Sequence, residues 1–291
     1  MEATTLFFEC PLSGKSATTM IDRRPASDPT ISVLDSGAER GDGVFETFGV
    51  IKQNAQALDP HLERLKMSAR LLDLPEPDID ELRRIVKTTA AMTGPTGEYS
   101  LKLVLTRGGP GTNGRPAAWI VLSDMPDYHT ARTEGLRVIL LNKGYHSSLV
   151  AEEPWLLFGA KHLSYAQHMA ALREARRQDS QEVVFTTADG LLLEGPTSTL
   201  IVRHGDRLLT PDPGLGILHG TTQRDIFAHC ENLGLRGSYE RIGKDALLDA
   251  DAAWLVSSVR MSVPLTHVDG VEIKRDPDLT EQFNAFLLNR D

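Results

Sequence analysis

Apolar and polar positions along the chain follow two different periods, and the alternation between them divides the sequence into short elements. Strands are predicted where apolar residues alternate or run together over about four to eight positions. These runs are LFFEC, GVFETFGV, YSLKLVLT, AAWIVL and the stretch from Leu136 to Asn142. Helices are predicted where apolar residues recur at three- and four-residue spacing, over residues 62–72, 80–93 and 279–289.

One further segment, Gly159 to Arg176, has helical spacing and carries a lysine near its beginning. Tyr165, Met169 and Leu172 lie at positions i, i+4 and i+7, which predicts one apolar face. The sequence therefore predicts an amphipathic helix with Lys161 at its start. A lysine in that position is usually an ordinary solvated residue, so its role depends on what the rest of the chain supplies.

The second half of the chain is richer in strands and tight turns. Two β-rich runs between Glu182 and Glu194 are joined by Asp189-Gly190, a strong hairpin signal. A glycine-rich turn then leads into a helix between Gly214 and Leu233. The polar, proline-containing stretch near residue 126 is the best candidate for a linker. We therefore expect an α+β protein with a smaller N-terminal α/β domain (1–124), a linker (125–134) and a larger strand-rich domain (135–291).

Composition excludes several classes of partner. The chain has 291 residues, 41% hydrophobic and 24% charged, with a formal net charge of −9. Nucleic-acid binding needs clustered Lys and Arg, which the sequence lacks. The first twenty residues do not resemble a secretory signal, and no apolar run approaches the roughly 18 to 20 residues that span a bilayer. With only two cysteines, in no metal-ligand spacing, we expect a cytoplasmic protein without a metal site and without a membrane or nucleic-acid partner.

A phosphate site is suggested by Gly220-Thr221-Thr222, which precedes a predicted helix. Backbone N–H groups at a helix start, together with hydroxyls, favour an anion there. The alternative is an ordinary helix cap, because threonine is common at that position.

A carboxylate and an amine complete a recognisable set of groups. Glu194 follows three leucines, where a charge is unwelcome without a partner; it is either the exposed end of a strand or the partner of a cationic ring nitrogen. Lys161 could supply an amine for a Schiff base. A phosphate site, a carboxylate that pairs with a ring nitrogen and an amine are the three groups that hold pyridoxal 5′-phosphate.

The chain resembles the fold-type-IV pyridoxal-phosphate enzymes, a group of D-amino-acid aminotransferase-like folds. The group includes branched-chain and D-amino-acid aminotransferases and 4-amino-4-deoxychorismate lyase. The resemblance runs in order through GDGVFETF, HLERL, KHLSYA, LLLEGPTSTL, GILHGTTQRDI and WLVSS, nearly the whole chain.

The resemblance implies a role for each of eight residues. It makes Lys161 the Schiff-base lysine, Arg64 a phosphate ligand and Glu194 the partner of the pyridine nitrogen. Thr221, Thr222 and Ser258 would bind the phosphate. Arg107 and Phe45 would contact the substrate, although Arg107 could instead be a loop arginine bonded to local carbonyls.

The resemblance also implies a reaction. The segments around KHL and EGPTSTL resemble the actinobacterial aminodeoxychorismate lyases, which form 4-aminobenzoate and pyruvate. The alternative is a D-amino-acid or branched-chain-type aminotransferase with a 2-oxo acid acceptor, and one site could do both. Ser164, Thr199 and Gly49 depart from the residues usual in the family. We expect a homodimer acting on a small amino substrate.

Overall fold

The computed structural model describes residues 3–14, 21–27, 31–109 and 115–290. The chain forms two compact units, one made of Met1–Pro126 with Ala160–Tyr165 and the other of Asp127–Gly159 with Ala166–Arg290. The strands and helices of the first unit are β1 (Thr4–Glu9), β2 (Asp22–Pro25), α1 (Ser36–Arg40), β3 (Gly43–Ile51), β4 (Asn54–Ala55), α2 (Leu58–Leu71), α3 (Ile79–Ala90), β5 (Glu98–Thr106) and β6 (Ala117–Asp124).

The second unit contains the remaining elements. These are α4 (His129–Glu134), β7 (Leu136–Asn142), α5 (Leu149–Glu152), α6 (Ala166–Arg177), β8 (Glu182–Thr186), β9 (Thr199–His204), β10 (Arg207–Pro211), α7 (Thr221–Cys230), β11 (Arg236–Glu240), α8 (Lys244–Leu248), β12 (Ala252–Ser257), β13 (Met261–Val268), β14 (Val271–Glu272) and α9 (Pro277–Asn289). Short 3₁₀ turns lie at Pro154–Leu156, Pro213–Leu215 and Glu231–Leu233.

The first unit is built on an antiparallel sheet with helices packed against it. Within the described residues the strand order is β2-β1-β6-β5-β3-β4. Helix α2 packs on β3 and on α3. The apolar faces predicted for these two helices are buried, as shown by Leu62, Leu65, Leu82, Ile85 and Val86. Burial of such a stripe is the main stabilisation available to a helix of this length.

The second unit is built on a mixed sheet. Its path through the described strands is β11-β10-β9-β12-β13-β7-β8, with β14 on β13. The β7–β8, β7–β13 and β10–β11 pairs are parallel. Helix α9 covers β13, and its Phe283 packs edge-on against Trp254 at a ring distance of 5.3 Å. The indole N–H of Trp254 donates to Thr280 Oγ1 at 2.8 Å, so this buried ring has its hydrogen bond.

The segment around Lys161 differs from the helix that the sequence predicts. Helix α6 begins at Ala166, and Lys161 lies before it in extended chain. The reason is backbone pairing, because the N–H of Phe45 donates to Lys161 O at 3.0 Å and that of Leu163 donates to Gly43 O at 2.8 Å. The predicted apolar face is also wrong in part: Met169 is 38% exposed.

The predicted hairpin between Glu182 and Glu194 is present, with a short second arm. The N–H of Phe185 donates to Glu194 O at 3.0 Å, and the N–H of Leu193 donates to Phe185 O at 2.8 Å. The first arm is β8, whereas Leu192 forms an isolated bridge with Thr186. The hairpin places Glu194 at the end of its second arm, where the Glu194 carbonyl is bonded to β8.

The domain limits drawn from the sequence stay a prediction. Residues 129–134, inside the predicted linker, form helix α4, and Ala160–Tyr165 groups with the first unit. Across the described ranges, every helix falls short of the length and apolar character needed to cross a bilayer.

A buried ionic cluster joins α2 to β3 in the first unit. Glu46 is fully buried, and its carboxylate accepts hydrogen bonds from Arg64 Nε and Nη2 at 2.7 and 2.8 Å. His61 Nδ1 lies 2.7 Å from the second carboxylate oxygen, which makes that nitrogen a donor. Burial alone would raise the pKa of Glu46, but the charge and hydrogen bonds of Arg64, followed by His61, hold it well below its usual range.

We predict that Glu46→Gln destabilises the protein by about 3 kcal/mol near neutral pH, because Arg64 loses its buried counter-charge. A carboxyl whose pKa is depressed on folding stabilises the folded state above its ordinary value of 4.5. That stabilisation is lost as the pH falls through the folded pKa. The difference between the two proteins, measured by urea unfolding, should therefore shrink as the pH falls below 4.5.

The matched control is Glu63→Gln, which changes an exposed carboxylate on the same helix. It should leave stability within about 0.5 kcal/mol at every pH. Equal stability of Glu46→Gln and the unaltered protein at neutral pH would show that the cluster contributes nothing to folding.

Candidate active site

Lys161 lies beside two aromatic rings in the first unit. Its Nζ lies 4.5 Å from the centre of the Phe45 ring and donates to the Tyr165 hydroxyl at 3.5 Å. The two rings pack edge-on, with centres 5.1 Å apart. The backbone N–H of Lys161 donates to the buried Ser68 Oγ at 3.0 Å. Both the backbone and the side chain of Lys161 are thus held in place. The amine is directed at the rings of Phe45 and Tyr165, which together form an aromatic wall.

Arg64, predicted as a phosphate ligand, is oriented by the Glu46 cluster. Its Nε and one terminal nitrogen are bonded to the Glu46 carboxylate, and its side chain is 10% exposed. A guanidinium bonded along one edge is held in a fixed orientation, and a fixed orientation is what a bidentate anion contact requires.

Arg107, predicted as a substrate ligand, is engaged by its own surroundings. It donates to both carboxylate oxygens of Asp42, at 2.6 and 3.1 Å. It also donates to the carbonyls of Leu72 and Asp73, at 2.6 and 3.1 Å. Four of its five N–H bonds are used in this way. This arrangement matches the alternative of a loop arginine bonded to local carbonyls, and substrate binding by Arg107 stays a prediction.

Glu194 lies in the second unit as a buried carboxylate among apolar residues. It is 8% exposed, and the leucines before it at 192 and 193 are fully buried. Its Oε1 accepts from the N–H of Leu218 at 3.1 Å. Burial and then the charge of Glu194 raise the pKa of Tyr145. A buried carboxylate in such surroundings is suited to a cationic N–H partner.

Three hydroxyl groups converge at the start of helix α7, also in the second unit. Ser258 Oγ lies 3.3 Å from Thr221 Oγ1 and 3.4 Å from Thr222 Oγ1, and all three residues are buried. Gly220 precedes the helix, and no side chain caps it there. A Cβ at Gly220 would lie 2.2 Å from Thr199 Oγ1, so any other residue would have to displace that hydroxyl. Hydroxyls at an uncapped helix start form a donor set suited to phosphate.

Each unit, taken by itself, holds groups of the kinds that bind pyridoxal phosphate. The first unit holds an amine, two aromatic rings and an oriented arginine. The second holds a buried carboxylate and a cluster of hydroxyls beside backbone N–H groups. Within the described part of the chain, no group of three or more His, Cys, Asp or Glu residues is arranged to hold a metal ion.

The residues that position these groups were not predicted from the sequence. Glu46 and His61 fix Arg64, and Tyr165 contacts the lysine amine. His61 and Arg64 are three residues apart on one helical face, a spacing that could have signalled a shared partner. No comparable signal marks Ser68, whose contact with Lys161 joins distant parts of the sequence.

Comparison with known proteins gives the family. Residues 43–268 match the model of amino-transferase class IV. A bifunctional aminodeoxychorismate lyase / D-amino acid transaminase of Mycobacterium tuberculosis is 39% identical over 259 residues, covering 86% of this chain and 89% of that protein.

Two solved structures have the same fold. A fold IV-transaminase from Curtobacterium pusillum is 43% identical, with a TM-score of 0.93 and coverage of 99% of this chain and 98% of that one. The PLP-bound form of a hypothetical aminotransferase from Mycobacterium tuberculosis is 36% identical, with a TM-score of 0.87 and coverage of 98% and 97%. The α+β, two-domain, fold-type-IV prediction is therefore confirmed, and the protein is an enzyme that belongs to the class IV aminotransferases, a family of pyridoxal-phosphate enzymes.

Proposed function

We propose that this enzyme binds pyridoxal 5′-phosphate and converts 4-amino-4-deoxychorismate to 4-aminobenzoate and pyruvate. The observation that carries the proposal is the position of Lys161, whose backbone is bonded to β3 and whose amine lies 4.5 Å from the Phe45 ring. The double name of the relative from Mycobacterium tuberculosis supports D-amino-acid transamination as a second activity of the same residues.

Each group of side chains has a proposed part in holding the cofactor. Lys161 would bind the aldehyde carbon covalently, and Glu194 would accept a hydrogen bond from the protonated ring nitrogen. The hydroxyls of Thr221, Thr222 and Ser258 would bind the phosphate, with Arg64 as its charged partner. When bound, the cofactor withdraws electrons from the substrate carbon next to the reacting nitrogen, which makes proton loss there feasible.

Lys161 has a second role as a proton carrier. Its amine would act as the general base that takes a proton from the substrate carbon next to the reacting nitrogen. The Tyr165 hydroxyl, 3.5 Å from Nζ, keeps the amine directed towards the aromatic wall. In the lyase reaction, one ring proton is removed and the bond between the ring carbon and the enolpyruvyl oxygen breaks. The released enolpyruvate becomes pyruvate by gaining a proton on carbon.

The aromatic wall favours a flat, unsaturated substrate. The ring centres of Phe45 and Tyr165 are 5.1 Å apart, with an angle of 71° between the planes. Edge-on aromatic pairs present both a ring face and a ring edge, which suits packing against a cyclic diene. D-Amino acids with small side chains would use less of this surface, and this difference favours the lyase as the principal activity.

We also propose a cytoplasmic homodimer. The two cysteines, Cys10 and Cys230, are both unpaired and buried, as expected of a reducing compartment. Burial raises the pKa of the Cys10 thiol to about 12, so it is held as a neutral, unreactive group. The homodimer is proposed because the sequence resembles the family.

We predict that Glu194→Gln keeps the cofactor but lowers kcat by about 100-fold or more, because a neutral amide no longer holds the proton on the ring nitrogen. The substitution preserves shape and the bond from Leu218. The measurement pairs the visible absorbance of the bound cofactor with steady-state turnover. Turnover equal to that of the unaltered enzyme would remove Glu194 from this role, and the exposed Glu63→Gln serves as control.

The reaction itself is tested with two mixtures. We predict that enzyme loaded with pyridoxal phosphate releases 4-aminobenzoate from 4-amino-4-deoxychorismate with no 2-oxo acid present. D-Alanine with 2-oxoglutarate should give pyruvate and D-glutamate at the same site. Lys161→Ala should abolish both reactions, whereas Lys87→Ala, an exposed lysine of the same unit, should leave both unchanged. Product from the second mixture alone would contradict the lyase.

A further inference from the structure

A tyrosine on strand β11 of the second unit is bonded to both ends of the segment 220–222. The hydroxyl of Tyr239 lies 2.8 Å from Nε2 of His219, which precedes the segment. It also lies 3.1 and 3.2 Å from the amide nitrogen and oxygen of Gln223, which follows the segment. A hydroxyl donates one hydrogen bond and accepts up to two, so it can bond both residues at once. Tyr239 therefore spans the uncapped start of helix α7 and two of the three converging hydroxyls.

The bond to Gln223 connects the first turn of α7 to strand β11. Gln223 is 1% exposed, and in the described part of the chain its side-chain amide is bonded to Tyr239 alone. A buried amide needs a hydrogen-bond partner, so this contact favours one position of the helix start. Phe227 lies four residues further along α7, on the same helix face, and its ring centre is 5.5 Å from that of Tyr239.

Close packing against one sheet fixes the same segment from two strands. A Cβ at Gly220 would lie 2.2 Å from Thr199 Oγ1 on β9, which shows how closely the helix start approaches that strand. On β11, a Cβ at Gly237 would lie 2.5 Å from Phe227 Cδ2, so the glycine leaves room for the ring. Strands β9 and β11 both pair with β10. The position of the helix start is therefore defined by its contacts with this sheet.

We propose that Tyr239 is a positioning residue for the cofactor phosphate and acts through His219 and Gln223 on the residues between them. The inference rests on the proposed function, in which Thr221 and Thr222 bind that phosphate. An anion site at a helix start requires backbone N–H groups and hydroxyls that point to one place. Helix ends fray when nothing holds them. The hydroxyl of Tyr239 opposes fraying because it is bonded on both sides of the phosphate-binding residues.

The ring and the hydroxyl of Tyr239 make separate contributions. The ring packs edge-on against His219, with 5.3 Å between the ring centres, and it also contacts Phe227. Tyr239 is 40% exposed, so removal of its hydroxyl opens no cavity in the core. Tyr239→Phe therefore keeps the ring contacts and removes the hydrogen bonds to His219 and Gln223.

The test compares pyridoxal 5′-phosphate with pyridoxal, which has the same ring and aldehyde but no phosphate. Each is titrated into the cofactor-free protein, and binding is followed by visible absorbance. We predict that Tyr239→Phe weakens the binding of pyridoxal phosphate by about tenfold and leaves the affinity for pyridoxal within about twofold. The matched control is Tyr99→Phe, which removes a hydroxyl bonded to the Thr96 carbonyl in the first unit and should change neither affinity.

A double variant separates lost positioning from the effect of a buried amide without a partner. In Tyr239→Phe/Gln223→Met both partners of the hydrogen bond are replaced by groups of similar shape, so the thermal midpoint should return to that of the unaltered protein. The affinity for pyridoxal phosphate should stay about tenfold lower, because the hydrogen bonds between α7 and β11 are still absent. Recovery of this affinity together with the thermal midpoint would overturn the positioning role.

The two proposals can fail independently. If pyridoxal phosphate binds Tyr239→Phe as tightly as the unaltered protein, or if both aldehydes lose affinity equally, the assignment of Tyr239 is overturned while the cofactor proposal stands. If the protein binds neither aldehyde, the proposed function fails, and calorimetry with inorganic phosphate then tests Tyr239. Weaker phosphate binding in Tyr239→Phe would support the positioning role, and equal or absent binding would overturn it.

Discussion

Two backbone hydrogen bonds to one strand fix the residue on which the chemistry depends. Residues 161–163 run along β3, where the carbonyl of Lys161 accepts from Phe45 and the N–H of Leu163 donates to Gly43. Together with the bond to Ser68, these contacts hold the lysine backbone at both its N–H and its carbonyl. A lysine side chain is flexible, so a fixed backbone is what gives its amine a defined position.

Each unit also contains a buried carboxylate, and the two carboxylates are stabilised in different ways. In the first unit, Glu46 is neutralised by Arg64 and hydrogen-bonded by His61, so the charge that stabilises the fold also orients the guanidinium. In the second, Glu194 is held by the N–H of Leu218 among fully buried leucines. Buried polar groups are costly unless they are satisfied, and both carboxylates have at least one strong donor in place.

The sequence was a good guide wherever local spacing decides the structure. The apolar faces of α2 and α3 were predicted because a buried stripe repeats with the helix, and the Asp189-Gly190 turn was predicted from its residues. The helix start at Lys161 was wrong because the segment bonds to β3, a strand far earlier in the chain. The hydrogen bonds to β3 outweigh the local helical preference of this segment, and they cannot be seen in the sequence because the two segments are far apart in the chain.

The candidate site divides in the same way. Residues in contiguous motifs, such as Thr221 and Thr222 or Arg64, could be named from the resemblance. The role of Glu46 could not be predicted, because its partners lie on α2 and the sequence does not show that α2 packs on this strand.

Covalent mapping identifies the lysine that binds the cofactor. Protein loaded with pyridoxal phosphate is reduced with borohydride, which fixes the carbon–nitrogen double bond between cofactor and amine, and is then digested and analysed by mass spectrometry. We predict one labelled peptide, the one that contains Lys161, and its loss in Lys161→Ala. A label on another lysine, such as Lys102 or Lys143, or no label at all, would contradict it.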